Sequence, residues 1–292
     1  MSTQARYTLT FSCPDQTGIV AAVTALTASF EGWIVEAAQH SQPDTGRFYM
    51  RQEIRADSLP FGADGFRERF APIAERFGMN WKLRDPAVPQ RVVLFCGKQD
   101  HCIADLLHRW STGDLRFDLA GVVSNHGDLR GLSEYYGAAF HHVPIPKADA
   151  PPPDDKAAAF ARVDALCDEL DAETLVLARF MQVMPPYLCA KYDGRMINIH
   201  HSFLPSFIGA RPYQQAFERG VKLVGATCHY VTPDLDAGPI IEQDVIRVTH
   251  AHDAAELARR GRDVERLVLT RGLRYHLEDR VLRDGNKTVV FA

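Results

Sequence analysis

The chain has 292 residues, 46% of them hydrophobic, with 33 basic and 37 acidic side chains and a formal net charge of -4. That length holds one large domain or two, with apolar residues enough for a proper core, and the balanced charge gives no global attraction for nucleic acid or an anionic membrane. No run of about 18 consecutive apolar residues occurs, so no membrane-spanning helix is expected. The start runs into an alternating strand rather than a long apolar stretch, so no signal peptide is expected. Six cysteines (Cys13, Cys96, Cys102, Cys167, Cys189, Cys228) are scattered without a C-x-x-C pair. Free thiols in a reducing cytoplasm are the simplest expectation, with no zinc-type spacing.

Residues 7–11 alternate apolar and polar, which predicts a strand. Residues 19–30 carry helical spacing after a Pro14-Asp15 start signal. Strands are predicted over 33–40 and 47–54, joined by a turn at Pro43-Asp44-Thr45-Gly46. An amphipathic helix over 66–77 and a strand over 79–83 complete the order βαββαβ, the ferredoxin-like arrangement. Asp85-Pro86-Ala87-Val88-Pro89-Gln90 reads as a short stiff linker. The expected domains are therefore 1–85 and 86–292.

Beyond the linker, residues 92–95 form a continuous apolar run, as in a strand buried on both faces. Further strands are predicted at 119–123, 140–143, 174–178 and 196–199, with helices at 102–110, 129–136 and 156–170. This alternation predicts an open, mostly parallel α/β sheet, a fold whose ligands bind beyond the carboxyl ends of the strands. Residues 224–231 and 240–248 read as a hairpin-like pair. A helix over 254–282 carries Leu257, Val264, Leu267, Val268 and Tyr275 on roughly one face. There are no repeats, and the one low-complexity stretch is Pro151-Pro152-Pro153.

The stretch INIHHSFLPSF, residues 197–207, begins as a buried strand and then turns polar. Residues two apart on a strand share a face, so Asn198 and His200 point the same way while Ile199 packs. Polar groups at a strand end are costly unless they pair or work. About thirty-five residues later, Asp236 stands in the loop Asp236-Ala237-Gly238-Pro239-Ile240, between two apolar strands. If that loop folds back on the sheet edge, an amide, an imidazole and a carboxylate meet. Such a trio suits attack on a carbonyl. The amide donates to the oxyanion, the imidazolium adds charge or delivers a proton, and the carboxylate orients the imidazole or the nucleophile. Blander roles also fit these residues singly: a surface or core histidine, a turn-capping asparagine, an ordinary loop acid. Ser202 lacks a G-x-S-x-G context, Cys228 reads as core, and His229 on the same strand points to the opposite face from Cys228, where it could support the candidate residues from behind.

Asn198-Ile199-His200, Leu204-Pro205 and Asp236-Ala237-Gly238-Pro239-Ile240, in this order and spacing, resemble the folate-dependent formyltransferases. Residues 180–184, Phe-Met-Gln-Val-Met, are similar to the segment whose backbone holds the pterin edge in that family. Residues 122–126 are similar to a further strand end. Within the superfamily the likeness is strongest to the formyltetrahydrofolate deformylases, and it covers nearly the whole chain. The N-terminal CPDQTGIVAAVT resembles the opening of an ACT domain.

The resemblance implies an N-terminal ferredoxin-like ACT regulatory domain and a C-terminal Rossmann-like formyltransferase domain. It implies hydrolysis of 10-formyltetrahydrofolate to tetrahydrofolate and formate, with Asn198, His200 and Asp236 catalytic. Met181, Gln182, Val183, His229 and Gly238 would contact the folate. No metal or redox cofactor is implied. A small amino-acid effector would bind near Asp15 and Gly18, and a homo-oligomer, dimer or tetramer, would form. Asp15 could instead cap the helix and Gly18 allow close packing. The run Lys98-Gln99-Asp100-His101-Cys102 after the first strand of the larger domain carries an acid, and only Gly97 before it is available for close backbone approach, which suits no phosphate. The chain ends one strand after the last helix and is not basic, so water rather than a large acceptor is the expected nucleophile. Transfer of the formyl group to a small amine is the alternative reaction. A silent folate- or amino-acid-binding protein is the alternative class.

Overall fold

In the computed structural model, which describes residues 5–146, 155–206 and 212–292, the alternation of Leu9, Phe11 and Cys13 builds one wall of a core. These residues lie on β1 (Arg6–Pro14), which is followed by α1 (Ile19–Ala28), β2 (Ile34–Gln42), β3 (Arg47–Arg55), α2 (Gly62–Phe77) and β4 (Asn80–Arg84). The strand order is β2-β3-β1-β4 and every neighbouring pair is antiparallel, the ferredoxin-like order expected from βαββαβ. Phe66, Phe70, Ala74 and Phe77 recur at helical spacing on α2 and pack on Phe48, Met50 and Ile54 of β3. Each such phenylalanine contributes on the order of 1.5–3 kcal/mol. The N-terminal four residues, the triple proline at 151–153 and residues 207–211 after the polar strand end lie outside the described residues.

The second unit spans Gln90–Leu277 with Gly285–Lys287. Its elements are β5 (Arg91–Cys96), α3 (His101–Ser111), β6 (Asp118–Ser124), α4 (Arg130–Tyr135), β7 (Phe140–His142), α5 (Lys156–Glu169), β8 (Thr174–Ala178), α6 (Pro186–Lys191), β9 (Met196–His200), α7 (Pro212–Arg219), β10 (Leu223–Tyr230), β11 (Ile240–Arg247) and α8 (Ala254–Leu277). The sheet order is β11-β10-β9-β8-β5-β6-β7. Strands β9, β8, β5, β6 and β7 run parallel, and β10 runs antiparallel to both its neighbours. The order reverses between β5 and β8, so crossovers leave in opposite directions there and open a crevice at the carboxyl ends. The apolar runs of β5 and β8 are fully buried, as parallel strands covered on both faces must be. Helices α6 and α7, of six and eight residues, were not read from the sequence.

The helix predicted over 254–282 stops at Leu277. Asp279 takes a left-handed backbone (φ 52), and the Glu278 carbonyl accepts from Arg51. Two strands follow rather than one, β12 (Val281–Asp284) and β13 (Lys287–Val290). Leu267 is solvent-exposed; the buried stripe of α8 instead runs through Leu257, Gly261, Val264, Glu265 and Val268. Glu278–Asp284 and Thr288–Ala292 belong with Met1–Pro89, which corrects the expected extent 86–292 of the second domain. The reason is ionic: Asp279 is paired with Lys82 and Arg84 of β4. Among the described residues, no helix is long and apolar enough to cross a membrane.

Candidate active site

Strand β9 carries the polar end that the sequence singled out. The chain leaves it through a loop pinned from β10. The Thr227 hydroxyl donates to the Ser202 carbonyl at 2.9 Å and accepts from the Leu204 N–H at 3.0 Å. Gln243 of β11 adds a bond from its amide to the Leu204 carbonyl. Buried polar side chains on the antiparallel hairpin thus fix where β9 ends.

Asn198 and His200 project from that end into a cavity of about 340 Å³ that Asp236 also lines. That volume is in the range of small-molecule sites. The loop between β10 and β11 folds back on the strand end, and Asp236 reaches it with a left-handed backbone (φ 52). Its Oδ2 lies 3.1 Å from His200 Nδ1, and its Oδ1 lies 3.6 Å from His229 Nε2. His229 sits opposite Asn198 in the β9–β10 register. Its Nδ1 lies 2.9 Å from the Tyr230 carbonyl, an acceptor, so Nδ1 holds the proton. The Asn198 amide nitrogen then donates to His229 Nε2 at 3.2 Å. One N–H of that amide is spent on His229, and the second remains for a ligand. His200 Nε2 is buried without a hydrogen-bond partner among the described residues. Burial pushes the Asp236 carboxyl up, but the hydrogen bond from His200 outweighs it and holds the acid well below the usual carboxylate range.

Met181, Gln182 and Val183 line the same cavity, with Val231, Thr232, Pro233 and Leu235. Met181, Val183 and Leu235 are more than half exposed (64%, 54% and 59%), an apolar rim suited to a flat apolar ring. Gly238 does not line the cavity. It lies against the Tyr230 carbonyl, where any side chain would collide, so its part is to let the Asp236 loop close. In the first unit, Gly18 is the N-cap of α1 with φ 90 and open space around it, so close packing is not its reason. No side chain caps α1, so Asp15 is not its cap; the Asp15 N–H donates to the Gly46 carbonyl.

A second polar cluster adjoins the cavity and was not read from the sequence. Glu265, on the buried stripe of α8, accepts from Tyr213 at 2.6 Å and pairs with His101 at 2.7 Å and Arg179 at 3.4 Å. Arg179 and His201 line the cavity itself. Burial pushes the Glu265 carboxyl up, but the His101 hydrogen bond and the Arg179 charge hold it down to about 2. The signal available was an acid four residues after Gly261 and one after Val264, on an apolar stripe. His101, Cys102 and Glu265 also bring three potential metal-ligand atoms within 4.8 Å of one another. The carboxylate is already engaged by hydrogen bonds from Tyr213 and His101 and by the Arg179 ion pair, and burial pushes the Cys102 thiol well up, which keeps it protonated. This set does not fit a metal.

The formyl transferase family pattern matches residues 90–273. A formyltetrahydrofolate deformylase of Corynebacterium sp. (strain P-1) is 46% identical over 290 residues, 99% of each chain. The chain belongs to the formyltetrahydrofolate deformylase family. A crystal structure of a family member from Pseudomonas syringae pv. tomato is 55% identical, with a TM-score of 0.96, and covers 100% of this chain and 96% of its own. A phosphoribosylglycinamide formyltransferase from Anaplasma phagocytophilum shares the frame more distantly, at 29% identity and a TM-score of 0.61, over 70% of this chain and 95% of its own.

Proposed function

We propose that this chain hydrolyses 10-formyltetrahydrofolate to tetrahydrofolate and formate, with Asn198, His200 and Asp236 as the catalytic residues. The observation that carries the site assignment is the 3.1 Å contact of His200 with Asp236 at the edge of a cavity that Asn198 shares. The pterin lies along the apolar rim, and the backbone of residues 181–183 takes its polar edge. The formyl oxygen sits against the free N–H of Asn198. His200 keeps its Nδ1 proton on Asp236, which leaves Nε2 for the reacting atoms. Asp236, ionised throughout the physiological range, orients or deprotonates the attacking water. As negative charge gathers on the formyl oxygen, Asn198 and His200 in its charged form stabilise it. The imidazolium then protonates the leaving nitrogen, and formate departs. Water adds and formate leaves without a change of oxidation state, so the reaction needs no redox cofactor, and the three side chains supply the acid, the base and the oxyanion donor. The test is incubation of the protein with 10-formyltetrahydrofolate in buffer, with formate and tetrahydrofolate assayed together. Equal amounts of both products support the reading, and absence of either refutes it.

The same proposal gives the first unit a regulatory role. A small amino acid would bind near Asp15 and Gly18, and copies of the chain would assemble as a dimer or tetramer. The left-handed backbone at Gly18 and the Asp15 N–H bond to the Gly46 carbonyl shape the loop between β1 and α1, which supports that reading. A screen of amino acids for changes in turnover, with Asp15→Ala beside wild type, tests the effector, and light scattering tests the assembly. All six cysteines are unpaired and buried, which supports a reducing cytoplasm as the working compartment.

A further inference from the structure

The catalytic trio activates a nucleophile without saying which nucleophile can reach the formyl carbon. Resting on the hydrolysis reading, we propose that Arg179, Glu265, His101 and Tyr213 form a plug. It denies an amine acceptor the space beside His200, so that water alone attacks.

The position of the cluster is the first argument. The cavity has an apolar end at Met181, Val183 and Leu235, and a polar end at Asn198, His200 and Asp236. With the pterin on the apolar rim, Arg179 and His201 bound the remaining space. Behind them Tyr213, His101 and Glu265 close the wall through bonds of 2.6 and 2.7 Å. Glu265 is 1% exposed and Arg179 7%, so the wall is closed to bulk solvent.

Its cost is the second argument. Arg179 Nη1 and His101 Nδ1 are buried without a hydrogen-bond partner among the described residues. Each such atom costs about 1–3 kcal/mol. Buried ion networks are often no more stabilising than apolar packing of the same volume. A cluster kept for stability alone would not carry these losses. The chain also makes room for it. A side chain at Gly97 would meet the Arg179 carbonyl at 2.6 Å, and one at Gly261 would collide with the Tyr213 hydroxyl. Arg179 itself holds a left-handed backbone (φ 62), which a non-glycine residue adopts at a cost.

The test offers the full-length protein 10-formyltetrahydrofolate together with hydroxylamine, a small amine. In transfer, the hydroxylamine nitrogen bonds the formyl carbon, the bond from that carbon to the folate nitrogen breaks, and the proton lost by the amine goes to that nitrogen. The products are formohydroxamate and tetrahydrofolate; in hydrolysis they are formate and tetrahydrofolate. The ratio of formohydroxamate to formate is read, which does not depend on how fast a variant turns over. Wild type should give formate almost exclusively. Arg179→Ala should raise the ratio by about tenfold or more, the scale on which pocket shape separates small substrates. The double variant Arg179→Ala/Glu265→Gln leaves no unpaired carboxylate, and it repeats the test if the single change impairs folding. A folded variant that releases tetrahydrofolate but yields only formate overturns the plug, as does a wild type with the same ratio as the variants. A wild type that releases no tetrahydrofolate overturns the hydrolysis reading itself, a distinct result.

Discussion

Two acid–imidazole pairs stand near the carboxyl ends of one sheet. His200 meets Asp236 at 3.1 Å, and His101 meets Glu265 at 2.7 Å. Both carboxyls are pushed up by burial and pulled down further by their partners. By charge alone they are alike. They differ in access. Asp236 lies on a loop that borders the cavity, and its histidine keeps Nε2 for a visitor. Glu265 lies on a 24-residue helix, has every oxygen taken, and faces a wall. A strongly perturbed acid is therefore a signpost and not yet a site; a neighbouring volume and an idle partner atom make it one.

Removing a member of the open pair should cost the most. His200→Ala and Asp236→Asn should each fold normally and lose about 10²–10⁴ in formate release. Near-normal turnover in either folded variant would break the comparison at its first term. The closed pair should answer in stability instead. Glu265→Ala leaves the Arg179 charge buried without its carboxylate, and should lower the urea unfolding free energy by about 3–5 kcal/mol. Arg179→Met with Glu265→Leu should recover most of that loss. A Glu265→Ala protein as stable as wild type would show that the cluster is wet.

Asn198→Ala removes an oxyanion donor and should lower turnover by about 10²–10³. Asn198→Asp should be worse at pH 8, because its carboxylate stands where the transition state gathers negative charge. It should recover as the pH falls toward 5 and the new acid becomes a donor, while the alanine variant shows no matching recovery. Wild-type rates for Asn198→Asp at pH 8 would remove the amide from the mechanism.

The smallest effect sits between the two pairs, at His201. Burial, and then the Arg179 charge, push its imidazole down to about 3. The folded group thus titrates below the unfolded value of about 6.5. Its contribution to stability is full above that unfolded value and is lost as the pH falls from there toward 3. Glu265 shares the sign, but its loss begins only near the unfolded carboxyl range, about 4.3. Between pH 7 and 5 the difference is therefore the histidine's. His201→Asn should lose less urea stability over that interval than wild type, and equal losses in both proteins would refute it.

The sequence was most legible where periodicity and burial agree. The βαββαβ order, the apolar runs of β5 and β8, and the polar end of β9 all follow from alternation and composition. It was least legible where a distant partner ends an element. Past Leu277 the backbone turns left-handed at Asp279, and that residue is held by ion pairs to Lys82 and Arg84 that no local pattern shows. Gly238 looked like a ligand contact because it stands beside Asp236 in the motif, yet its close approach is to Tyr230.

The chain order and spacing of Asn198, His200 and Asp236 are set by the sequence, as is the family they belong to. Local strand geometry already puts the first two on one face, since that depends only on residues two apart. Everything that needs a distance between remote residues was decided by the tertiary structure. The loop of Asp236 closes on His200 because β10 and β11 pair beside β9. Glu265, Tyr213, His101 and Arg179 come from four different segments, with spacings that carry no period. Their meeting is a matter of packing, and packing is cooperative across the sheet rather than local in the chain.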